Sequence, residues 1–277
     1  MRPHVVAWLA ERLPLAVAQV LAPTWFTMVG LAGVIALIAL LRHARADRVE
    51  RGAVATVVLA GYLAAVVGGV AIPALIDLVE RSLDGQPMRL RLAGMTSFWG
   101  YTAGTVAVIE ACRRQRVALG WLADRATPSL GVALALIRVG CFLAGCDYGQ
   151  ISSAPWAVRF PAPSPAWHDH VARGLVPAGR AASLPVHPTQ LYEALVGVII
   201  AVVAAVITRR RAWVGRGHVF LGAAAAYCLA RLGIEAVRGD AVRGFVLGAS
   251  SGQVFAVVAL AAIAAVTLAQ RVQRQRA

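Results

Sequence analysis

Arg138 is the only charged residue in the apolar run from Pro128 to Cys146 of this 277-residue chain. An unpaired guanidinium at membrane depth costs about 2.5 kcal/mol or more, so a charge kept at such a position indicates a function. The guanidinium also presents a planar fork of donors that fits the oxygens of a phosphate. Arg138 is therefore a candidate for binding an anionic group.

A second candidate group lies in the string ARLGIEAVRGD at residues 230–240. Arg231, Glu235 and Arg238 are spaced i, i+4 and i+7, which places them along one stripe of a helix with a net positive charge. One interpretation is an ion-pair ladder that closes a helix bundle. The other is a site for an anion such as a lipid phosphate, which a third guanidinium from Arg138 favours.

A third group is the string HPTQLYE, which runs from His187 to Glu193. Its proline suits the first turn of a helix, and from that start Gln190 and Glu193 fall on one face and Tyr192 on a neighbouring one. A carboxylate one turn inside a membrane span needs a partner. The alternative interpretation is a capped helix end with the tyrosine in the aromatic belt at the membrane surface.

Two further patterns resemble metal sites only loosely. Cys141 and Cys146 are five residues apart, a spacing that fits no zinc rule, although a redox pair or a metal site is an alternative to two small buried hydrophobes. The sequence His168-Asp169-His170 offers two histidines without a third ligand nearby. We expect no metal at either place.

The elements that must position these residues are membrane helices. Hydrophobic residues make up 59 % of the chain, charged residues 14 %, and the mean hydropathy is +0.70. These values predict an all-α polytopic membrane protein, a single integral-membrane domain over residues 1–277 with about seven transmembrane helices. The predicted spans are residues 25–41, 53–78, 96–111, 129–146, 188–208, 217–237 and 252–269.

The formal charge of +14 reflects membrane topology and does not indicate a nucleic-acid partner. All 27 basic residues are arginines, and they gather at the ends of the apolar runs. With a cytoplasmic C-terminus, 15 arginines lie inside and 10 outside, which favours an N-out, C-in orientation.

Two segments are predicted to lie on the outer face. Residues 1–22 are predicted to form an interfacial helix rather than a signal peptide, because Glu11 and Arg12 interrupt their apolar stretch. Residues 147–187 form a proline-rich loop or head insertion, whose Trp156 and Trp167 favour a position at the lipid headgroups.

Together these strings resemble the phosphatidylglycerol–prolipoprotein diacylglyceryl transferases of bacterial inner membranes. The similarity runs from about Trp25 to the C-terminus. Its most specific parts are RVG from Arg138, PWAVRFP at 155–161, HPTQLYE at 187–193, RLGIEAVR at 231–238 and SGQ from Ser251.

The resemblance implies transfer of the diacylglyceryl group of phosphatidylglycerol to the lipobox cysteine thiol of a prolipoprotein, with release of glycerol phosphate. Such a displacement at carbon needs a base for the thiol and cations for the departing phosphate. By resemblance Arg138 and Arg231 bind the phosphate, and Glu235 and Arg238 orient Arg231. The implied partners are these two substrates and membrane lipids, around a monomer in the cytoplasmic (inner) membrane, without metal, nucleotide or other cofactor. The implied catalytic residues are Arg138, Arg231 and Glu235, and the implied substrate-binding residues are Arg138, Gly149, His187, Gln190, Tyr192, Glu193 and Arg238.

The chain departs from the family pattern at polar positions. The string GMTSFWG at 94–100 is similar to the glycine-rich segment whose Phe-His-Gly-Gly carries the histidine usually proposed as base, and here that position is Trp99. An indole cannot accept a proton. The asparagine after the glycine that matches Gly140 is Cys141, and the arginine after the paired glycines of the second span is Val70. The phosphate-binding arginines are retained, whereas the family's base is not.

Three explanations fit these departures. The chain is an active divergent transferase whose base is His187, Tyr192, Glu193 or the substrate's own environment. Alternatively it is a non-catalytic paralogue that holds phosphatidylglycerol or a lipoprotein segment. The third explanation is a transferase with a different acceptor.

Overall fold

The computed structural model describes residues 25–85, 97–240, 244–246 and 248–276, together with Val5, Trp8 and Glu11. The predicted interfacial helix of residues 1–22 lies outside the described residues except for those three. Within the described part the chain forms eight α-helices and one short hairpin. They are α1 (Trp25–Asp47), α2 (Arg51–Leu83), α3 (Ser97–Gln115), α4 (Leu119–Ala144), α5 (Pro165–Ala172), α6 (Thr189–Thr208), α7 (His218–Ala236), β1 (Phe245–Val246), β2 (Ala249–Ser250) and α8 (Ser251–Arg276).

Six of the described helices, α1, α2, α4, α6, α7 and α8, are long and apolar enough to cross a membrane. The predicted class, an all-α polytopic membrane protein, is confirmed. The third predicted span is the 19-residue helix α3, which is more polar because Glu110, Arg113 and Arg114 lie near its end.

Helix α4 begins ten residues earlier than the span predicted from residue 129, and that predicted start was wrong. The prediction followed the extent of the apolar run, but the helix begins at Leu119 and contains Pro128. A proline removes one backbone donor, and membrane helices tolerate this loss where neighbouring groups satisfy the freed carbonyl.

The chain divides into two compact units, of which the smaller comprises Ile35–Ala126 and Ala212–Gly217. In it α2 packs along α3 through small residues. A methyl group added at Gly68 would lie 2.4 Å from Cβ of Ala103, and one added at Gly100 would lie 2.9 Å from the carbonyl oxygen of Ala65. Trp99, the residue before Gly100, is half-buried.

The larger unit comprises Met1–Val34, Thr127–Arg211 and His218–Ala277. Its helices α4 and α6 cross where Gly131 and Gly197 meet, since a Cβ added to either would lie 2.7 Å from the carbonyl oxygen of the other. Small residues permit such close backbone approach between membrane helices. Helix α7 contacts both α6 and α8.

Residues 147–187 are folded rather than an irregular loop. Val186 pairs with both Ile151 and Val158 through isolated β-bridges. Phe160 and Val186 are fully buried, and they form a small apolar core with Tyr148. No helical period is visible in this segment because α5 has only eight residues.

The His168-Asp169-His170 string has a structural role in this segment. Asp169 accepts a 2.5 Å hydrogen bond from the Tyr148 hydroxyl, and Nδ1 of His170 accepts one of 3.1 Å from the backbone N–H of Leu184. Burial lowers the pKa of His170, with the positive charge of Arg173 adding to the effect. The neutral imidazole is therefore the form that this contact requires.

Candidate functional site

Backbone hydrogen bonds join the segment around Gly149 to the HPTQLYE string and to the RLGIEAVR string, all within the larger unit. The N–H of Gly149 donates to the carbonyl of His187 (2.9 Å), and the N–H of Gln150 donates to the carbonyl of Val237 (2.7 Å). A Cβ added at Gly149 would lie 2.6 Å from Cβ of His187 and 2.8 Å from the carbonyl oxygen of Val237. Glycine is required because backbone approaches from both sides. Gly149, predicted to bind substrate, thus has a packing role here.

Glu193 connects two arginines within the apolar bundle. Its Oε2 lies 2.6 Å from Nε of Arg138, an ion pair without the alignment of a hydrogen bond, and its Oε1 accepts from Arg231. The Tyr227 hydroxyl approaches the same carboxylate at 3.5 Å. The predicted need of this carboxylate for a partner is confirmed.

Asp147 binds two arginines at the exposed edge of this group of charged side chains. Its Oδ2 accepts from Nη1 of Arg138 at 2.8 Å, and its Oδ1 accepts from Nη2 of Arg238 at 2.6 Å. The residue follows α4 in a left-handed conformation (φ 55°), which aspartate adopts more readily than most residues. One carboxylate therefore fixes two guanidiniums from different elements.

Glu235 contacts both arginines of the predicted stripe, but Arg238 does not lie on the helix as the sequence predicted. It accepts from Arg231 and, at 2.8 Å, from the Ser250 hydroxyl. Helix α7 ends at Ala236, so Arg238 lies beyond it and binds Asp240 at 2.5 Å, with Glu235 at 3.5 Å. The carboxylate of Glu235 thus connects Arg238 to Arg231.

The site carries more negative charge than predicted. Among the described residues three guanidiniums meet four carboxylates, which gives these seven side chains a formal charge of −1, whereas only Glu193 and Glu235 were expected to offset the arginines. The two unforeseen carboxylates come from loops outside the helical stripe. We call the set the arginine–carboxylate network: Arg138, Arg231, Arg238, Asp147, Glu193, Glu235 and Asp240.

The network is open at one edge. The side chains of Arg138 and Asp147 are 17 % and 28 % exposed, whereas those of Glu193 and Glu235 are 2 % and 0 % exposed. Of the three guanidiniums in the network that of Arg138 is the most exposed, and it lies at this edge beside the Asp147 carboxylate.

His187 and Tyr192 lie side by side at the start of α6. The Tyr192 hydroxyl accepts from Nε1 of Trp156 (2.7 Å) and lies 3.0 Å from Nδ1 of His187. A hydroxyl that accepts from the indole has its own hydrogen available for the imidazole. This arrangement favours the His187 tautomer with its proton on Nε2.

Gln190 and Thr189 fasten α6 to the loop after α4. Nε2 of Gln190 donates to the carbonyl of Cys146 at 2.5 Å, and the Thr189 hydroxyl donates to the carbonyl of Asp147 at 2.6 Å. Gln190 is 1 % exposed, as its predicted inward face requires, and its Oε1 has no hydrogen-bond partner among the described residues.

Four contributors to the site were not predicted from the sequence: Asp147, Tyr227, Asp240 and Ser250. Two of them adjoin the strings that were recognised, since Asp147 follows Cys146 and Ser250 precedes the SGQ string. The positions that the resemblance implies to be altered divide between the units. Trp99 and Val70 belong to the smaller unit, whereas Cys141 is buried in α4 of the larger one.

Comparison with known proteins gives one consistent family. Residues 14–269 match the family described as prolipoprotein diacylglyceryl transferase. The phosphatidylglycerol–prolipoprotein diacylglyceryl transferase of Rhodococcus jostii (strain RHA1) is 34 % identical over 155 residues, which are 53 % of this chain and 41 % of the relative.

Two further relatives have similar names. The enzyme of the same name from Mycobacteroides abscessus is 33 % identical over 150 residues, 53 % of this chain and 43 % of the relative. Phosphatidylglycerol–prolipoprotein diacylglyceryl transferase 2 of Streptomyces coelicolor is 30 % identical over 164 residues, 58 % of this chain and 48 % of the relative. The matched stretch thus spans less than half the length of these curated relatives.

Proposed function

Because the chain belongs to the prolipoprotein diacylglyceryl transferase family, we propose that it transfers the diacylglyceryl group of phosphatidylglycerol to the cysteine thiol of a prolipoprotein. The observation that carries this proposal is the arginine–carboxylate network at the ends of membrane helices. Its open edge at Arg138 suits a lipid phosphate that arrives along the membrane.

The reaction needs the phosphate to become a good leaving group. Sulfur forms a bond to the glyceryl methylene carbon while the bond from that carbon to the phosphate oxygen breaks, and the electron pair leaves with glycerol phosphate. Arg138 would bind the phosphate in place of Asp147, and Arg231 would add positive charge through the shared Glu193. Arg238 and Glu235 would hold these groups in position.

The proton of the thiol needs a separate acceptor. Both oxygens of Glu193 face guanidiniums, and Nδ1 of His187 faces the Tyr192 hydroxyl. Of the bases expected from the sequence, His187 would therefore accept the thiol proton on Nδ1 only if the proton shared with the Tyr192 hydroxyl exchanged at the same time.

A non-catalytic lipid-binding role is the second candidate. Trp99 at the position of the family's histidine favours it, because the indole accepts no proton. Such a protein would bind phosphatidylglycerol through Arg138 without forming a thioether.

One assay separates the two candidates. The chain is reconstituted in liposomes that contain phosphatidylglycerol, and thioether formation on a lipobox peptide is followed by mass spectrometry. Binding of a labelled phosphatidylglycerol is measured in parallel. Thioether that disappears with Arg138→Gln and Arg231→Gln, but persists with Arg114→Gln on the exposed face of α3, supports the transferase. Binding without thioether supports the second candidate, and binding that survives both glutamine variants would place the phosphate site elsewhere.

We also propose how the chain is oriented and in which membrane it lies. The arginine distribution supports an N-out, C-in arrangement in the bacterial cytoplasmic membrane, with residues 147–187 outside. A thiol introduced at Ala178 should then react with a membrane-impermeant maleimide added to spheroplasts, and one at Arg210 should not. The opposite pattern of labelling would reverse the orientation and remove the outward-facing site.

A further inference from the structure

The loop after α4 brings two thiols and a carboxylate together beside the arginine–carboxylate network. Sγ of Cys141, Sγ of Cys146 and a carboxylate oxygen of Asp147 all lie within 4.8 Å of one another. Cys141 is buried, and the other two residues are half-buried. Two sulfurs and one oxygen are donors that a borderline-soft divalent cation such as Zn²⁺ accepts.

The backbone fixes the positions of the two thiols. Gly145 is left-handed (φ 79°), its N–H donates to the carbonyl of Phe142 (3.2 Å), and the N–H of Cys146 donates to that of Cys141 (3.3 Å). These bonds are those of a Schellman motif, which places the residue after the glycine against the residue five positions earlier. Apolar side chains fill these two positions in an ordinary helix end, whereas here both carry sulfur and Asp147 adds a third donor.

The surroundings of the three donors also suit a ligand. The two oxygens of Asp147 have about four lone-pair directions, so the contacts to Arg138 and Arg238 leave room for another bond. Carboxylates that bind metals are commonly held by such outer hydrogen bonds. The buried amide of Gln190 adjoins this loop through Cys146, and its Oε1 lacks a partner among the described residues.

We propose that Cys141, Cys146 and Asp147 bind a divalent cation of the Zn²⁺ class, and that its fourth coordination position takes the thiol of the acceptor cysteine. The second half of this inference rests on the proposed transfer reaction. Tetrahedral zinc places sulfur and oxygen ligands about 3.5–3.8 Å apart, so a shift of about 1 Å closes the three donors around the ion. Three protein ligands with one open position are the pattern of catalytic rather than structural zinc.

The cation would supply what Trp99 does not. When the acceptor thiol binds to it, the proton passes to water and the sulfur remains as a coordinated thiolate. That sulfur lies next to Asp147, the residue whose place on Arg138 the lipid phosphate takes. The sulfur lone pair then forms the bond to the glyceryl carbon, and the electron pair of the breaking carbon–oxygen bond leaves with the phosphate.

Metal binding is tested without reference to activity. The purified chain in detergent is incubated with ZnCl₂, passed through a desalting column and analysed for metal and protein. We expect about one ion per chain, lost in Cys141→Ser and Cys146→Ser but retained in Cys112→Ser and Cys228→Ser, whose thiols are also buried. In the unmodified chain, zinc should slow alkylation of Cys146 at least about tenfold, which keeps the test valid where a variant does not fold. Absence of bound zinc, or a disulfide between Cys141 and Cys146 in its place, overturns the proposal.

The acceptor position is tested with cobalt. A lipobox peptide added to the Co²⁺-loaded chain should increase the sulfur-to-cobalt charge-transfer absorption, and the matching serine peptide should not. Equal spectra with both peptides would overturn the role of the fourth position. If the cysteine peptide changes the spectrum but no thioether forms with phosphatidylglycerol, the metal site stands and the proposed transferase function fails.

Discussion

Oε2 of Glu193 lies 2.6 Å from Nε of Arg138, and this contact joins α6 to α4 inside an apolar bundle. The other oxygen of the same carboxylate contacts Arg231 on α7. One side chain therefore compensates charges on two other helices, and the arrangement of the site depends on its ionised form.

Glu193→Gln should destabilise the protein strongly. The substitution removes the counter-ion that two largely buried guanidiniums share. Breaking a buried ion pair costs up to about 3–5 kcal/mol, and because Arg138 keeps Asp147 and Arg231 keeps Glu235, we expect a loss near the lower end of that range. The measurement is the free energy of unfolding by SDS in mixed micelles. Glu110→Gln is the matched control, because its ion pair with Arg114 is exposed and should contribute nothing measurable. Equal stability of the two variants would contradict the bridging role.

Gly149→Ala should abolish correct folding of the site. The new Cβ would meet both Cβ of His187 (2.6 Å) and its carbonyl oxygen (2.7 Å), so the hydrogen-bonded segments would have to separate. Thermal unfolding in detergent and lipid binding should both reveal this loss. At Gly222 in α7 an added Cβ meets nothing within 4 Å. Gly222→Ala should therefore be neutral or stabilising by up to about 1 kcal/mol, and a similar loss there would refute the steric argument.

Acid should loosen residues 147–187. Burial holds the pKa of His170 below its usual 6.5. An unfolded chain then binds more protons than the folded one, so stability is complete above about pH 6.5 and falls as the pH drops from there through the lower folded pKa. Protonation also ends the hydrogen bond that Nδ1 accepts from Leu184.

The unfolding temperature, measured between about pH 7.5 and 5.5, checks this expectation. His170→Gln should flatten the dependence, whereas His168→Gln, at an exposed position of the same helix, should not change it. An unchanged pH profile in the first variant would show that other groups cause the loss.

With divalent cations removed by a chelator, transfer by the unmodified chain should be slow compared with family members that carry the histidine. A positioned base contributes about 10²–10⁴-fold, and Trp99 cannot act as one. Trp99→His alone need not restore the rate, because the resemblance implies that Cys141 and Val70 also stand where the family carries polar residues. Ordinary turnover in the unmodified chain under this condition, abolished by Arg138→Gln, would show that the histidine is dispensable here.

The helices and the arginines of the site could be predicted from the sequence, whereas two of the carboxylates that pair with these arginines could not. Arg138, Arg231 and Glu193 stood out because a charge in an apolar run is costly. Asp147 and Asp240 did not, because each lies in a loop, where a carboxylate is ordinary. Their place depends on the left-handed turn after α4 and on the end of α7 at Ala236, which no periodicity encodes. Helix α5 was missed for a related reason, since two turns are too short to establish a period.

The contact between Gly131 and Gly197 fixes where α4 and α6 touch. The number of positions from Gly131 to Arg138 along α4 therefore determines where the guanidinium lies. Arg138 lies seven positions after Gly131, and Glu193 lies four positions before Gly197. One residue inserted in the first interval would turn Arg138 by about 100° and advance it by about 1.5 Å, out of reach of the carboxylate. The ion pair therefore depends on the length of this interval as well as on the arginine itself. A relative that keeps both residues but changes this interval should have lost the ion pair.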